Sequence, residues 1–131
     1  AKLIIHIYGR HDMNIIFGQD ITDIEQRYVV LELDTFVDAQ SHRQTAYCIV
    51  DSIPELDWPV IDTYRQAHRD LMKAYQQQNW DYCEHALEGL CGHWNGELDS
   101  FYHDLRDRIQ RYRHNPPAKD WDGSRSVQDL A

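Results

Sequence analysis

Apolar positions alternate with polar ones over roughly the first 50 residues and then recur every three to four positions, so the chain reads as a β part followed by an α part. In residues 2–8, Leu3, Ile5 and Ile7 alternate with Lys2, Ile4 and His6, which predicts a first strand. Residues 9–12 form a turn, and residues 14–17 a short second strand. Residues 18–25 are irregular, with Asp20, Thr22 and Asp23 as turn formers. The longest strand is expected over 27–37, with Val29, Leu31, Leu33 and Val37 directed one way and Glu32 and Asp34 the other. After a loop over 38–44, residues 45–51 set Ala46, Cys48 and Val50 against Tyr47 and Ile49. Short connections between short strands predict an antiparallel sheet, free to curl, with one apolar face in need of cover.

The cover comes from the second half. Ser52-Ile53-Pro54-Glu55 has the form of a capping box, and Pro59 sits well in a first helical turn. From there Val60, Tyr64, Ala67, Leu71 and Tyr75 make one stripe, widened by Ile61, His68 and Met72. Asn79 caps a second helix striped by Trp80, Cys83, Leu87, Leu90 and Trp94, which Gly92 and Asn95-Gly96 break. Leu98, Phe101, Tyr102, Leu105, Ile109 and Tyr112 face inward on a third. Its first turn is acidic and its last two turns carry Arg106, Arg108, Arg111, Arg113 and His114, as the helix dipole favours. Pro116 and Pro117 stop it. The expected architecture is α+β: a four-stranded antiparallel sheet, then a three-helix unit with a C-terminal strap. One domain spans 1–131, with its β part over 1–52, its α part over 53–123 and a tail over 124–131.

Charge and length narrow the partners. The chain has 131 residues and a net charge of −9, which opposes a general nucleic-acid or anionic-membrane role. No apolar run approaches the ~20 residues of a membrane-spanning helix, and the N-terminal stretch lacks a signal-peptide pattern. Three cysteines without metal-type spacing point to a reducing cytoplasm, or to a host cytoplasm for a virus product.

Ala74-Tyr75, Asn79-Trp80-Asp81 and the run Pro116-Pro117-Ala118-Lys119-Asp120-Trp121-Asp122-Gly123 carry a resemblance. Residues ~70–123 resemble the segment that follows the catalytic domain in many class III adenylate cyclases, a helix pair closed by a Pro-Pro-x-x-Asp-Trp-Asp-Gly strap. The β half departs from that family: it has no metal-binding aspartate pair in a cyclase setting and is too short for a cyclase domain. No catalytic residue carries over. The resemblance implies a helical hairpin that mediates contacts, with Pro116, Pro117, Asp120 and Trp121 as its structural strap. Trp121 is expected to be largely buried near Trp80 or Tyr102.

Candidate chemistry is sparse. The eight histidines lack a His-x-x-x-His or His-Glu-x-x-His pair, so no metal and no cofactor is expected. Ser41-His42 and Ser100-x-x-His103 lack the strand–turn–helix setting of a nucleophile elbow, and no catalytic residue is assigned. Arg106, Arg108 and Arg111 are the local basic feature, fitting an anion or acidic partner. The competing reading is dipole complementation with the pairs Asp104–Arg108 and Asp107–Arg111. Trp94, at an exposed-looking turn, is the tryptophan placed to stack a ligand. The expected role is a non-enzymatic accessory protein whose helical hairpin contacts a protein partner or a second copy, most simply as a homo-oligomer. The alternative is a small metal-dependent hydrolase or small-ligand-binding protein using the histidines and aspartates of the β loops, among them His6, His11, His42, Asp12, Asp20, Asp23, Asp34 and Asp38.

Overall fold

A computed structural model describes residues 15–18, 21–50, 53 and 55–126. Strand β1 (Ile15–Gly18) is followed by a one-turn helix, α1 (Thr22–Glu25), then by β2 (Val29–Val37) and β3 (Arg43–Val50). A 3-10 segment (Glu55–Val60) leads into α2 (Ile61–Gln76), α3 (Trp80–Leu90) and α4 (Asp99–His114), and the chain returns to the sheet as β4 (Arg125–Ser126). The expected strand over 2–8 lies outside the described residues, as do His6, His11, Asp12, Asp20 and Ser52.

The fold is α+β, with an open four-stranded sheet ordered β1-β3-β2-β4. It is mixed rather than antiparallel throughout: β3 pairs antiparallel with β1 and β2, while β4 runs parallel to β2 through Phe36–Arg125 and Val37–Ser126. The fourth strand therefore comes from residues 125 and 126, within the expected tail. The strap ends in the sheet, which the free-tail reading of 124–126 did not foresee.

Between Glu32 and Thr35 β2 advances three residues while its partner β3 advances two, from Tyr47 to Thr45. This bulge changes which face each side chain meets. Val29, Leu31 and Leu33 point inward before it, and Phe36 points inward after it. Asp34 turns inward at the bulge and is 1% exposed, where strict alternation would have sent it outward with Glu32. Val37 is only half-buried, the reverse of the simple alternation.

The helices follow their stripes. On α2 the buried residues are His68, Leu71, Met72, Ala74 and Tyr75, on α3 Cys83, Leu87 and Leu90, and on α4 Phe101, Tyr102, Leu105, Arg108 and Ile109. The Asn79 side chain accepts the Tyr82 N–H at 3.3 Å, the expected N-cap of α3. Helix α2 packs on β2, α3 on α2, and α4 on α3. Together they bury one face of the sheet, with Leu31, Leu33, Cys48, Leu71, Leu98 and Leu105 at its centre.

Candidate functional site

Arg108 is the centre of the site. It sits on the inward face of α4 and is 1% exposed. Its Nη1 donates to Asp34 Oδ1 at 2.7 Å and to the Tyr75 hydroxyl at 3.0 Å. Its Nη2 donates to Asp34 Oδ2 at 3.1 Å and to Asp104 Oδ2. The bulge is what brings Asp34 to it, so α4 and β2 are joined by a bidentate carboxylate–guanidinium pair. Burial works against the Arg108 charge. Asp34 overcomes it, with Tyr75 and Asp104 adding to the effect, and Arg108 ends well above its ordinary pKa. Burial likewise pushes the Tyr75 hydroxyl up, so it stays protonated.

The strap brings a second arginine to the same place. β4 sets Arg125 beside Phe36 of β2, and its Nη1 lies 3.7 Å from Asp34 Oδ2. Arg111, three residues beyond Arg108 on the same face of α4, stands exposed at the rim. Arg108, Arg111, Tyr112, Pro116, Pro117, Trp121 and Arg125 line a cavity of about 450 Å³ between α4 and the strap. Two buried donors among these residues, Arg108 Nε and Arg125 Nη1, have no hydrogen-bond partner. Buried N–H groups of this kind are rare and ask for an occupant.

The strap is fixed from several directions. The Trp121 ring meets Tyr75 edge-on at 5.1 Å and Tyr112 edge-on at 5.5 Å, with Trp80 at 6.4 Å. Its indole N–H donates to the Ser124 carbonyl at 3.0 Å. Gln78 Nε2 donates to the Ala118 carbonyl at 2.7 Å, and Arg43 pairs with Asp122 at 2.7 Å. Gly123 has φ +90° and crosses so close to Gln76 that a Cβ there would lie 2.6 Å from its Cγ, so glycine is required on both counts. Trp121 is half-buried, beside Trp80 as expected, but its other neighbours are Tyr75 and Tyr112. Tyr102 is instead committed to His68.

Of the residues singled out by sequence, Arg108, Arg111, Pro116, Pro117 and Trp121 come together at the cavity. Arg106 does not: its Nη2 turns to Cys91 Sγ at 3.8 Å. Trp94 is 4% exposed and edge-on to Tyr64, so the expected exposed indole is a core side chain. Asp120 is exposed, and the aspartate that anchors the strap is Asp122. Of the two i, i+4 pairs, Asp104–Arg108 is present, and Asp107–Arg111 is not an ion pair among the described residues. Sequence reasoning missed Tyr75 and Arg125 as site residues, and it weighed Asp34 only as a β-loop aspartate of the alternative reading. The shift of inward apolar positions from Leu33 to Phe36 was a readable trace of the bulge. Arg125, between two serines, offered none.

A second cavity, of about 340 Å³, lies between α1, β2 and α2 and is lined by Glu32, Tyr47, Arg65, His68 and Arg69, among others. Burial raises the Glu32 pKa, and the nearby Asp34 charge raises it further. His68 is already satisfied. Its Nε2 lies 2.6 Å from the Glu32 carbonyl oxygen, which can only accept, so Nε2 carries the proton and Nδ1 accepts from the Tyr102 hydroxyl at 2.9 Å. Burial lowers its pKa to about 4. In the β2–β3 loop, Asp38 spends Oδ1 on the Gln40 and His42 N–H groups, and His42 sits 3.3 Å from Oδ2. Among the described residues no group of three His, Cys, Asp or Glu is placed to hold a metal. No described helix is long and apolar enough to cross a membrane.

Comparison with known protein families, with curated proteins and with solved structures finds no match.

Proposed function

We propose that the protein is a non-enzymatic interaction module that holds an acidic group of a partner protein in the arginine cavity under the strap. One observation carries this reading: Arg108 Nε and Arg125 Nη1, on two residues that line a cavity rimmed by the exposed Arg111, are buried without hydrogen-bond partners. The cavity is of the size that takes a side chain or a small ligand. The rival reading, catalysis or metal binding by the β loops, has less support, since Asp38 and His42 are spent on their own turn. The likeness of residues ~70–123 to the cyclase-associated hairpin and strap points the same way, toward contact rather than chemistry. Self-association as a homo-oligomer belongs to this proposal, supported by Leu56 and Trp58, which are 93% and 58% exposed on one short segment. So does a reducing cytoplasmic setting, supported by Cys48, Cys83 and Cys91, which form no disulfide among the described residues.

The test is a titration of the full chain, labelled with ¹⁵N, with a blocked hexaglutamate peptide at low salt and with hexalysine as the control. Signals of Arg111, Tyr112, Trp121 and Arg125 are expected to shift with hexaglutamate alone, and Arg111→Glu is expected to abolish the shifts. Shifts confined to other surfaces, or none at all, would count against the proposal.

A further inference from the structure

Resting on the reading above, we infer that the arginine cavity takes a single carboxylate, from an aspartate or glutamate side chain of the partner, and not a phosphate. Two features of the cavity lead there. The first is its charge balance. Among the described residues three guanidinium groups, Arg108, Arg111 and Arg125, meet two carboxylates, Asp34 and Asp104, which leaves one positive charge to be matched. A carboxylate matches it, whereas a phosphate monoester carries close to two negative charges at neutral pH.

The second is where those charges lie. Asp34 is fully buried, with Oδ2 3.7 Å from Arg125 Nη1, so any anion oxygen that accepts from Nη1 lies no more than about 7 Å from that carboxylate oxygen. In a buried setting that like-charge contact is poorly screened, and a second negative charge on the ligand would double it. The unpartnered donors also suit two acceptor oxygens. Arg108 Nε and Arg125 Nη1 are two buried donor atoms without a hydrogen-bond partner, and Arg111 closes from the rim. Beside the polar Asn115, Ser124 and Ser126, part of the remaining wall, Tyr112, Pro117 and Trp121, is apolar and aromatic, so an apolar residue next to the acidic one has a surface to cover.

The experiment compares three blocked tripeptides on the full chain: acetyl-Ala-Glu-Phe-amide, its glutamine counterpart and its phosphoserine counterpart. Binding is read from the arginine Nε–H signals of Arg108 and Arg125 together with backbone shifts. The glutamate peptide is expected to move both arginine signals saturably and to bind about tenfold more tightly than the glutamine peptide, the range expected for a charge-assisted pair. The phosphoserine peptide is expected to bind no more tightly than the glutamate one. Arg111→Gln, which changes an exposed residue and leaves the fold's buried pair intact, is expected to weaken the glutamate peptide severalfold. Tighter binding of the phosphoserine peptide at the same arginine signals would overturn the carboxylate assignment while leaving the interaction site standing. No movement of these signals with any of the three would overturn the site itself.

Discussion

At Asp34 a carboxylate with no solvent exposure meets a guanidinium that is 1% exposed, and the pair ties the sheet to the last helix. Two charges withdrawn from water repay their desolvation only while both are present. Asp34→Ala would strand the Arg108 charge in the interior, and a loss of about 3–5 kcal/mol is expected from urea unfolding. Replacing both residues by apolar ones, Asp34→Leu with Arg108→Met, is expected to give a protein more stable than either single variant. A double variant as unstable as the sum of the singles would show that the pair does not act as one unit. The sequence permitted this pair without announcing it. Arg108 stood among five cationic residues that the helix dipole alone explains, and only its contacts separate it from Arg106 two positions away. Asp34 looked like a solvent-facing residue because strict alternation is the default for a strand. A bulge is a decision of the paired strands, and β2 cannot reveal by itself how many residues β3 will set against it.

The strap is held chiefly by an aromatic side chain, and the magnitudes say so. Trp121 lies against Tyr75, Trp80 and Tyr112, and aromatic contacts of this geometry add to the burial of a large ring. The ring is half-buried, so Trp121→Ala is expected to cost about 2–3 kcal/mol, at or below the lower end of the roughly 3–5 kcal/mol for fully buried aromatic rings, measured by urea unfolding. The Arg43–Asp122 ion pair, with each partner about half-exposed, is a different case. Surface pairs contribute roughly 0–1 kcal/mol, so Arg43→Ala is expected to cost no more than that. Equal losses for the two variants would mean that the ion pair anchors the strap as much as the ring does. The helices and the strap were legible because each has a local cause: a 3.6-residue stripe, an Asn79 cap, a Pro-Pro stop and one large aromatic after it. β4 was not legible. Its two residues pair with Phe36 and Val37 from far along the chain, and polar residues near a terminus carry no local sign of such a partner.

For the molecule as a whole, two measurable properties follow from what it exposes and what it buries. Leu56, Trp58, Tyr28 and Tyr82 remain exposed, while Tyr75 and Trp94 are in the core. With this surplus outside, sedimentation at micromolar concentration is expected to give a mass above the 15.6 kDa of one chain. A single-chain mass at moderate salt would end the proposal of self-association. The buried property is His68, neutral between Tyr102 and the Glu32 carbonyl, with a folded pKa of about 4 against roughly 6.5 unfolded. A histidine whose pKa is lowered on folding contributes full stability above the unfolded pKa. Below it the unfolded chain binds the extra proton, so stability falls as pH drops from 6.5 toward 4. At roughly 1.4 kcal/mol per pH unit, the gap amounts to about 3 kcal/mol across that window. The carboxylates act elsewhere. Asp38, lowered by the backbone N–H groups of His42 and Gln40, and Asp122, lowered to about 2 by Ser124 and Arg43, act only below pH ~4. Glu32, raised by burial, opposes His68 above its ordinary range. Unfolding midpoints between pH 7 and 5, compared with those of His68→Gln, isolate the imidazole, which packs at the seam between α2, α4 and β2. The natural chain is expected to lose stability across this interval. His68→Gln, which can still hydrogen-bond but cannot titrate, is expected not to show that loss. Parallel profiles for the two proteins would place the acid sensitivity in some other group.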